Sequence, residues 1–357
     1  MKICFLTYNL NTTDGGGRFS HDLILNLKNR EIELEVIMTE KIKLLFNFFK
    51  IRKIFKKSDI IHAVDIWPNG FYAKLISFGL NKPIFITALG TFSVLPFYSW
   101  RRPLAVWTCK NARIIAISDY TKKEINKILP DLDIKVICPG FDLNFWSGAE
   151  VRLQEFPEVG LQYKKFKPYI LSVGAIKSRK GYHNSIRAFG IVAQKIKNLN
   201  YVIVGQMYEE SEYMNELKKI IKEYNIQSRV FFIGSGIDDG KLLGFYRNAE
   251  LFLLIPAKKN HHFEGFGIVY LEAAASGLPI VAAYNSGATS AVKENHNAIL
   301  TPQNDSRGIA DAVLKILSDN SLRSNLKNNS REWVKKFDWG KIIINYIEIY
   351  NAYIKHN

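Results

Sequence analysis

The sequence predicts an α/β protein built from two doubly wound, Rossmann-like parallel-sheet domains. Three observations carry that expectation. The chain has 357 residues, more than one hydrophobic core usually organises. Short β-branched or apolar runs recur along it, and helical stretches separate several of them. Strands that alternate with helices form parallel sheets, because each parallel connection must cross over the sheet and the helix then covers its face.

In the first half the candidate strands are KICFLTY (2–8), ELEVIMT (33–39), DIIHAV (59–64), PIFITAL (83–89), ARIIAIS (112–118) and KVICPG (135–140). A Gly-rich loop follows the first, with a helical pattern from about Arg18 to Asn29. The pattern restarts after a polar stretch around 147–168, which sets the expected domains at 1–155 and 156–335. YILSVGA (169–175), NYVIVGQ (200–206), VFFIGS (230–235), ELFLLIP (250–256) and LPIVAAY (278–284) are the strands of the second half, with a helix over 211–224. The closing segment, 336–357, has apolar residues at helical spacing. Ligands of such sheets bind at the carboxyl ends of the strands, so the expected site lies in the cleft between the domains.

Composition excludes several classes. A hydrophobic share of 47% and a charged share of 23% are those of a globular chain. The amino terminus lacks a signal peptide's apolar region, and no uncharged run is long enough to span a bilayer. Cys4, Cys109 and Cys138 form no CxxC pair, so a reducing cytoplasm fits better than a disulfide framework. A net charge of +16 demands an anionic partner. The densest basic stretch, KIKLLFNFFKIRKIFKK (41–57), reads as an amphipathic helix. Its apolar stripe fits core packing beneath solvated lysines, or contact with an anionic membrane surface. Nucleic acid is disfavoured, because no RNP, KH, zinc-finger or helix-turn-helix pattern accompanies the charge.

Three motifs carry possible chemistry. EGFGIVYLE (264–272) follows the strand LFLLIP; its helix is expected to start near Gly267, run through Ile268–Ser276 and stop at Gly277. N–H groups at a helix start are unpaired, and Gly265 and Gly267 permit an anion to approach. Over eight helical residues Glu264 and Glu272 would stand about 12 Å apart along the axis. Glycosidase pairs are roughly 5 to 10 Å apart, so two separate ligand contacts are favoured over one acid/base pair, the structural alternative being Glu272 as a buried or capped helix acid. In SVGAIKSRKGYHN (172–184), Arg179 and Lys180 suit a diphosphate at a strand's carboxyl end. DGGGRFS (14–20) supplies three successive glycines, but it is neither GxGxxG nor a Walker sequence, so nicotinamide and ATP fingerprints are absent.

DGGGRFS, PGFD (139–142), SVGAIKSRKG and FEGFGIVYLEAAASGLPIVA together resemble the GT-B glycosyltransferases of glycosyltransferase family 4. The resemblance implies a retaining, metal-independent transferase with two Rossmann-like domains facing an interdomain cleft, the terminal helix (336–357) packing back on the N-terminal domain. It assigns Glu272 to the ribose hydroxyls and Glu264 to the donor sugar. Phe266, Gly267 and Ile268 would offer N–H groups to phosphate, Arg179 and Lys180 would hold the diphosphate, and Gly16 and Gly17 would close over it. FIGSGI (232–237) would lie along the base. No cofactor is implied, since the nucleotide sugar is a substrate. The expected partners are a UDP- or GDP-sugar donor and a glycan or lipid-linked glycan acceptor, in the cytoplasm or at the inner face of the cell membrane.

Two departures stand against that pattern. Many members have a histidine just before the glycine in the segment matching ITALGTFSVLP (86–96); here it is Leu89, which can neither donate a hydrogen bond nor carry charge. His62, expected to end a strand and to face the cleft, is no obvious substitute. In YNSGATSAV (284–292), Ser286 replaces a glycine and Ser290 an acid. Leu89 keeps open the alternative of a non-catalytic GT-B subunit that acts through another transferase.

Overall fold

The computed structural model describes residues 1–12, 14–40, 46–147, 163–207, 211–234 and 236–354. The chain divides into two units, Met1–Phe141 with Phe337–Asn357, and Asp142–Lys336.

The first unit holds β1 (Lys2–Thr7), β2 (Glu33–Met38), β3 (Ile60–Val64), β4 (Ile84–Ala88), β5 (Arg113–Ala116) and β6 (Ile134–Val136), in the order β2-β1-β3-β4-β5-β6. Every pairing is parallel, with Phe5 opposite both Val36 and His62. β3 and β4 are buried throughout, as strands covered on both faces must be. The second unit holds β7 (Tyr169–Val173), β8 (Asn200–Val204), β9 (Val230–Ile233), β10 (Leu251–Leu253), β11 (Ile280–Ala283) and β12 (Ala298–Thr301), in the order β12-β11-β10-β7-β8-β9. These pairings are parallel as well. Strand order reverses between β1 and β3 in one sheet and between β7 and β10 in the other. At these switch points neighbouring loops part and leave room for a ligand.

The two doubly wound sheets read from the sequence are therefore present. The sequence reading missed β12, whose four residues AILT are too few to form a run of their own. It also placed the first helix late. The helix spans Gly15–Lys28, because the Asp14 side chain accepts from Gly17 N at 2.7 Å and caps it, so the three glycines form the first helical turn instead of a loop. The basic helix spans Phe48–Lys57, with Ile51 and Phe55 buried; residues 41–45 lie outside the described residues.

The helix Trp339–Ile354 belongs to the first unit. Trp339 lies against Gly140, where a Cβ would come within 2.1 Å of the indole. His62 corrects its sequence reading. It sits inside β3, fully buried, with Nδ1 bonded to Tyr350 Oη (2.5 Å) and Nε2 to Thr87 Oγ1 (2.8 Å). Burial pushes its pKa down to about 3, so the ring is neutral and structural.

Candidate functional site

The loops after β7 and β10 are fastened together across the switch point. Gly181 has φ +69°, and a Cβ there would lie 1.7 Å from Ile255 O, so only glycine permits this approach. Two residues earlier, Arg179 O accepts from Ala257 N at 3.0 Å. The loop is also tied to its own strand by Tyr182 Oη, which donates to Gly174 O at 2.7 Å. A third segment fixes Glu264: its carbonyl accepts from Gly287 N at 2.9 Å.

These ties bring together three of the residues singled out in the sequence. Glu264 Oε2 accepts from Lys180 Nζ at 2.5 Å and from Arg179 Nη1 at 3.2 Å. Lys180 and Glu264 are buried, while Arg179 retains some exposure. Burial pushes the Glu264 carboxyl up, but the Lys180 ammonium and then the Arg179 guanidinium outweigh it and hold it below the usual carboxylate range. The group is an anion clamped between two cations, with one positive charge in excess at the carboxyl ends of β7 and β10.

Glu272 sits on a helix that follows that cluster. It lies in the helix Val269–Ala275, 4% exposed, and Tyr246 Oη donates to its Oε2 at 2.7 Å. Tyr246 thus bonds Glu272, while Arg179 and Lys180 bond Glu264. The helix is shorter than expected at its start. Gly267 and Ile268 accept the first turn's hydrogen bonds, from Tyr270 N (3.0 Å) and Leu271 N (2.8 Å), and their own N–H groups precede the helix. Gly267 has φ +84°, which carries the chain from buried Phe266 into that turn. Any anion affinity here rests on N–H groups and the nearby cations more than on the dipole of a seven-residue helix.

Gly16 and Gly17 belong to the first unit. Gly17 has its N–H taken by Asp14, and a Cβ on it would lie 2.3 Å from Asn11 O. At Gly16 a Cβ would sit at ordinary contact distance, 3.5 Å, from Leu89 Cδ1. Leu89 N donates to Asp65 Oδ1 (3.1 Å) and pairs with Ser93 Oγ (3.0 Å). Sequence reading missed Asp65 and Tyr246. Asp65 was visible only as an acid directly after a buried strand; Tyr246 carried no local signal. Ser286 is fully buried, donating to Ala283 O and accepting from Ala288 N, so it closes a turn. Of FIGSGI, Ser235 lies outside the described residues. A cavity of about 560 Å³ is bordered by Met207, Phe232 and Ile233, and by none of Arg179, Lys180, Glu264 or Glu272.

Comparison with known proteins agrees with this architecture. The family model described as glycosyl transferases group 1 matches residues 157–333, and that described as glycosyltransferase family 4 matches 13–145. An uncharacterized glycosyltransferase of Methanocaldococcus jannaschii is 24% identical over 314 residues, 87% of this chain and 80% of that protein. The capsular polysaccharide biosynthesis glycosyltransferase CapM of Staphylococcus aureus is 27% identical over 255 residues, 68% of this chain and 62% of its own length, less than two thirds. Among solved structures, Anabaena HepE in complex with UDP superposes with a TM-score of 0.76 at 22% identity, covering 99% of this chain and 100% of that one. Two six-stranded parallel sheets in the GT-B manner, with a family model over all of one and all but β1 of the other, lead to one conclusion: the chain belongs to the glycosyltransferases of family 4.

Proposed function

We propose that this chain is a retaining, metal-independent glycosyltransferase that moves a sugar from a UDP- or GDP-sugar to a glycan acceptor, in the assembly of surface polysaccharide or lipid-linked oligosaccharide. The observation that carries the reading is the cluster of Arg179, Lys180 and Glu264 at the sheet's switch point. In the reaction the bond from the sugar's anomeric carbon to the phosphate oxygen breaks, and negative charge collects on the departing diphosphate. Two cations already fixed in place stabilise that charge without reorganising. The acceptor oxygen bonds to the anomeric carbon on the same face, and its proton passes to a donor-phosphate oxygen. Neither a metal nor a protein base is then required.

Glu264 is assigned to the donor sugar, Glu272 to the ribose hydroxyls, and the N–H groups of Phe266, Gly267 and Ile268 to phosphate. On the first unit, Gly16 and Gly17 are assigned to phosphate or sugar contact. The capsular polysaccharide relative and the UDP-bound neighbour support the pathway class and the nucleotide. The test is a thermal-shift screen against UDP, GDP, ADP and their sugar conjugates. One nucleotide should raise Tm in the wild type and fail to do so in Glu272→Ala; no shift with any of them at millimolar concentration would sink the reading.

Contact with an anionic membrane surface is supported by the helix Phe48–Lys57. Lys50, Lys53, Lys56 and Lys57 are exposed there, and Phe49 is 85% exposed beside them. Among the described residues no helix is long and apolar enough to cross a membrane. Sedimentation with vesicles that does not depend on anionic lipid would remove this part. Leu89 favours the second reading, a non-catalytic subunit; turnover by the isolated chain excludes it.

A further inference from the structure

On the first unit two cations sit among aromatic rings. The guanidinium carbon of Arg101 lies 5.4 Å from the centre of the Trp67 ring and 5.2 Å from that of Trp100. The two indoles are 6.3 Å apart and steeply inclined. Phe71 continues the cluster, 4.9 Å from Trp67 and 6.0 Å from Trp107. Lys74 Nζ lies 4.9 Å from the Trp107 ring and donates to Trp107 O at 2.6 Å. Among the described residues neither cation has an acidic partner, and Arg101 Nε is buried without a hydrogen bond. Trp100 is 74% exposed, while Trp67, Phe71 and Trp107 are half-buried.

The cluster lies on segments that follow β3 and β4. Trp67 follows closely on β3, and Trp100 and Arg101 follow the short helical segments Thr91–Val94 and Leu95–Tyr98 after β4. These are the segments that leave the carboxyl ends of the strands. Aromatic faces attract a guanidinium, but they cover its planes and leave the N–H groups at its edge unfilled. An oxyanion at the guanidinium's open edge meets the donors that the rings leave unfilled, without having to reach the buried Nε. Phosphate fits best, since two of its oxygens match two N–H groups of arginine at once. The indole of Trp100 adds exposed apolar surface immediately beside that position. Rings with an apolar body next to a polar group suit a molecule that is itself apolar at one end and charged at the other.

We infer that this cluster binds a phosphate group carried on an apolar chain, with Arg101 on the phosphate oxygens and Trp100 against the chain. The inference deepens the reading above, on which it rests, by naming the chemistry of a lipid-linked acceptor. The binding itself needs no nucleotide.

The probe is octyl phosphate, below its micelle-forming concentration, titrated against the full chain with tryptophan fluorescence as the readout. Inorganic phosphate and octyl glucoside are titrated in parallel, to separate a free anion and a bare apolar chain from the combination. Saturable binding of octyl phosphate is expected, weakened about tenfold or more in Arg101→Gln. In Trp100→Phe most of the fluorescence change should vanish, while Arg102→Gln, altering an exposed neighbour, should bind as the wild type does. If Arg101→Gln fails to fold, Arg101→Lys replaces it and should show weakened binding with the charge retained. Equal binding to the wild type and to the Arg101 variant overturns the inference. So does inorganic phosphate or octyl glucoside binding as tightly as octyl phosphate. The nucleotide screen is read against Glu272→Ala in the second unit, so a chain that binds nucleotide but not octyl phosphate overturns this inference alone.

Discussion

Lys180 and Glu264 are both buried, and each offsets the charge of the other there. Replacing Lys180 by methionine would leave the Glu264 carboxylate with only Arg179, which is partly exposed and more weakly placed. We expect Lys180→Met to lower stability by about 3 kcal/mol in urea unfolding, within the range for breaking a buried ion pair. Arg179→Met should cost under about 1 kcal/mol, because solvent screens that pair. Equal losses would contradict the division of labour. His62 gives a prediction in pH. Its folded pKa is depressed to about 3, so as pH falls below 6.5 the unfolded chain takes up a proton that the folded chain refuses. Stability should therefore fall between pH 6.5 and 3, by up to about 1.4 kcal/mol per unit from this group. His62→Gln should flatten that slope in acid titration; an unchanged slope would assign the acid sensitivity elsewhere.

Single contacts between segments decide how the elements are placed. Gly181 joins the start of the helix Tyr182–Lys195 to the chain leaving β10, and φ +69° with the Ile255 carbonyl alongside excludes any side chain. Gly181→Ala should cost well over about 1 kcal/mol, and should also weaken nucleotide binding, because the Arg179–Lys180 loop would lift from its seat. Wild-type nucleotide affinity in that variant would show the cations to be placed by something else. The strands of both sheets were legible because burial on both faces demands continuous apolar runs. β12 was not, because four residues carry no period. The glycines at 15–17 were misread as a loop, because glycine lowers helix propensity while a cap made by Asp14 restores the helix there. The helix after Gly267 was found from its Gly277 stop, but its first turn depends on a positive φ that periodicity does not report.

At the scale of the whole molecule, the chain leaves the first unit at Phe141 and returns to it at Phe337. The returning helix supplies Tyr346 and Tyr350, both fully buried, and Tyr350 is the partner of His62. Ending the chain before Asp338 would bare His62 and Phe85 to water and leave a neutral imidazole without its hydrogen bond. Such a truncation should abolish the first unit's cooperative unfolding transition, as followed by calorimetry. Retention of two transitions would show that the helix is dispensable.

What the sequence by itself determined were the properties that local order encodes: the α/β class, two successive sheets, the surplus of positive charge, and the glycines and cations placed after strands. The family followed from the same residues, because their order and spacing along the chain are the motif. Only the tertiary structure decided which of them meet. Arg179 and Glu264 are 85 positions apart and His62 and Tyr350 are 288 apart, yet each pair shares a hydrogen bond. Periodicity reports whether a residue is buried, while its partner depends on strand order and on where the switch point falls. For that reason the sequence placed His62 at the end of a strand facing the cleft, and the fold placed it beneath the terminal helix.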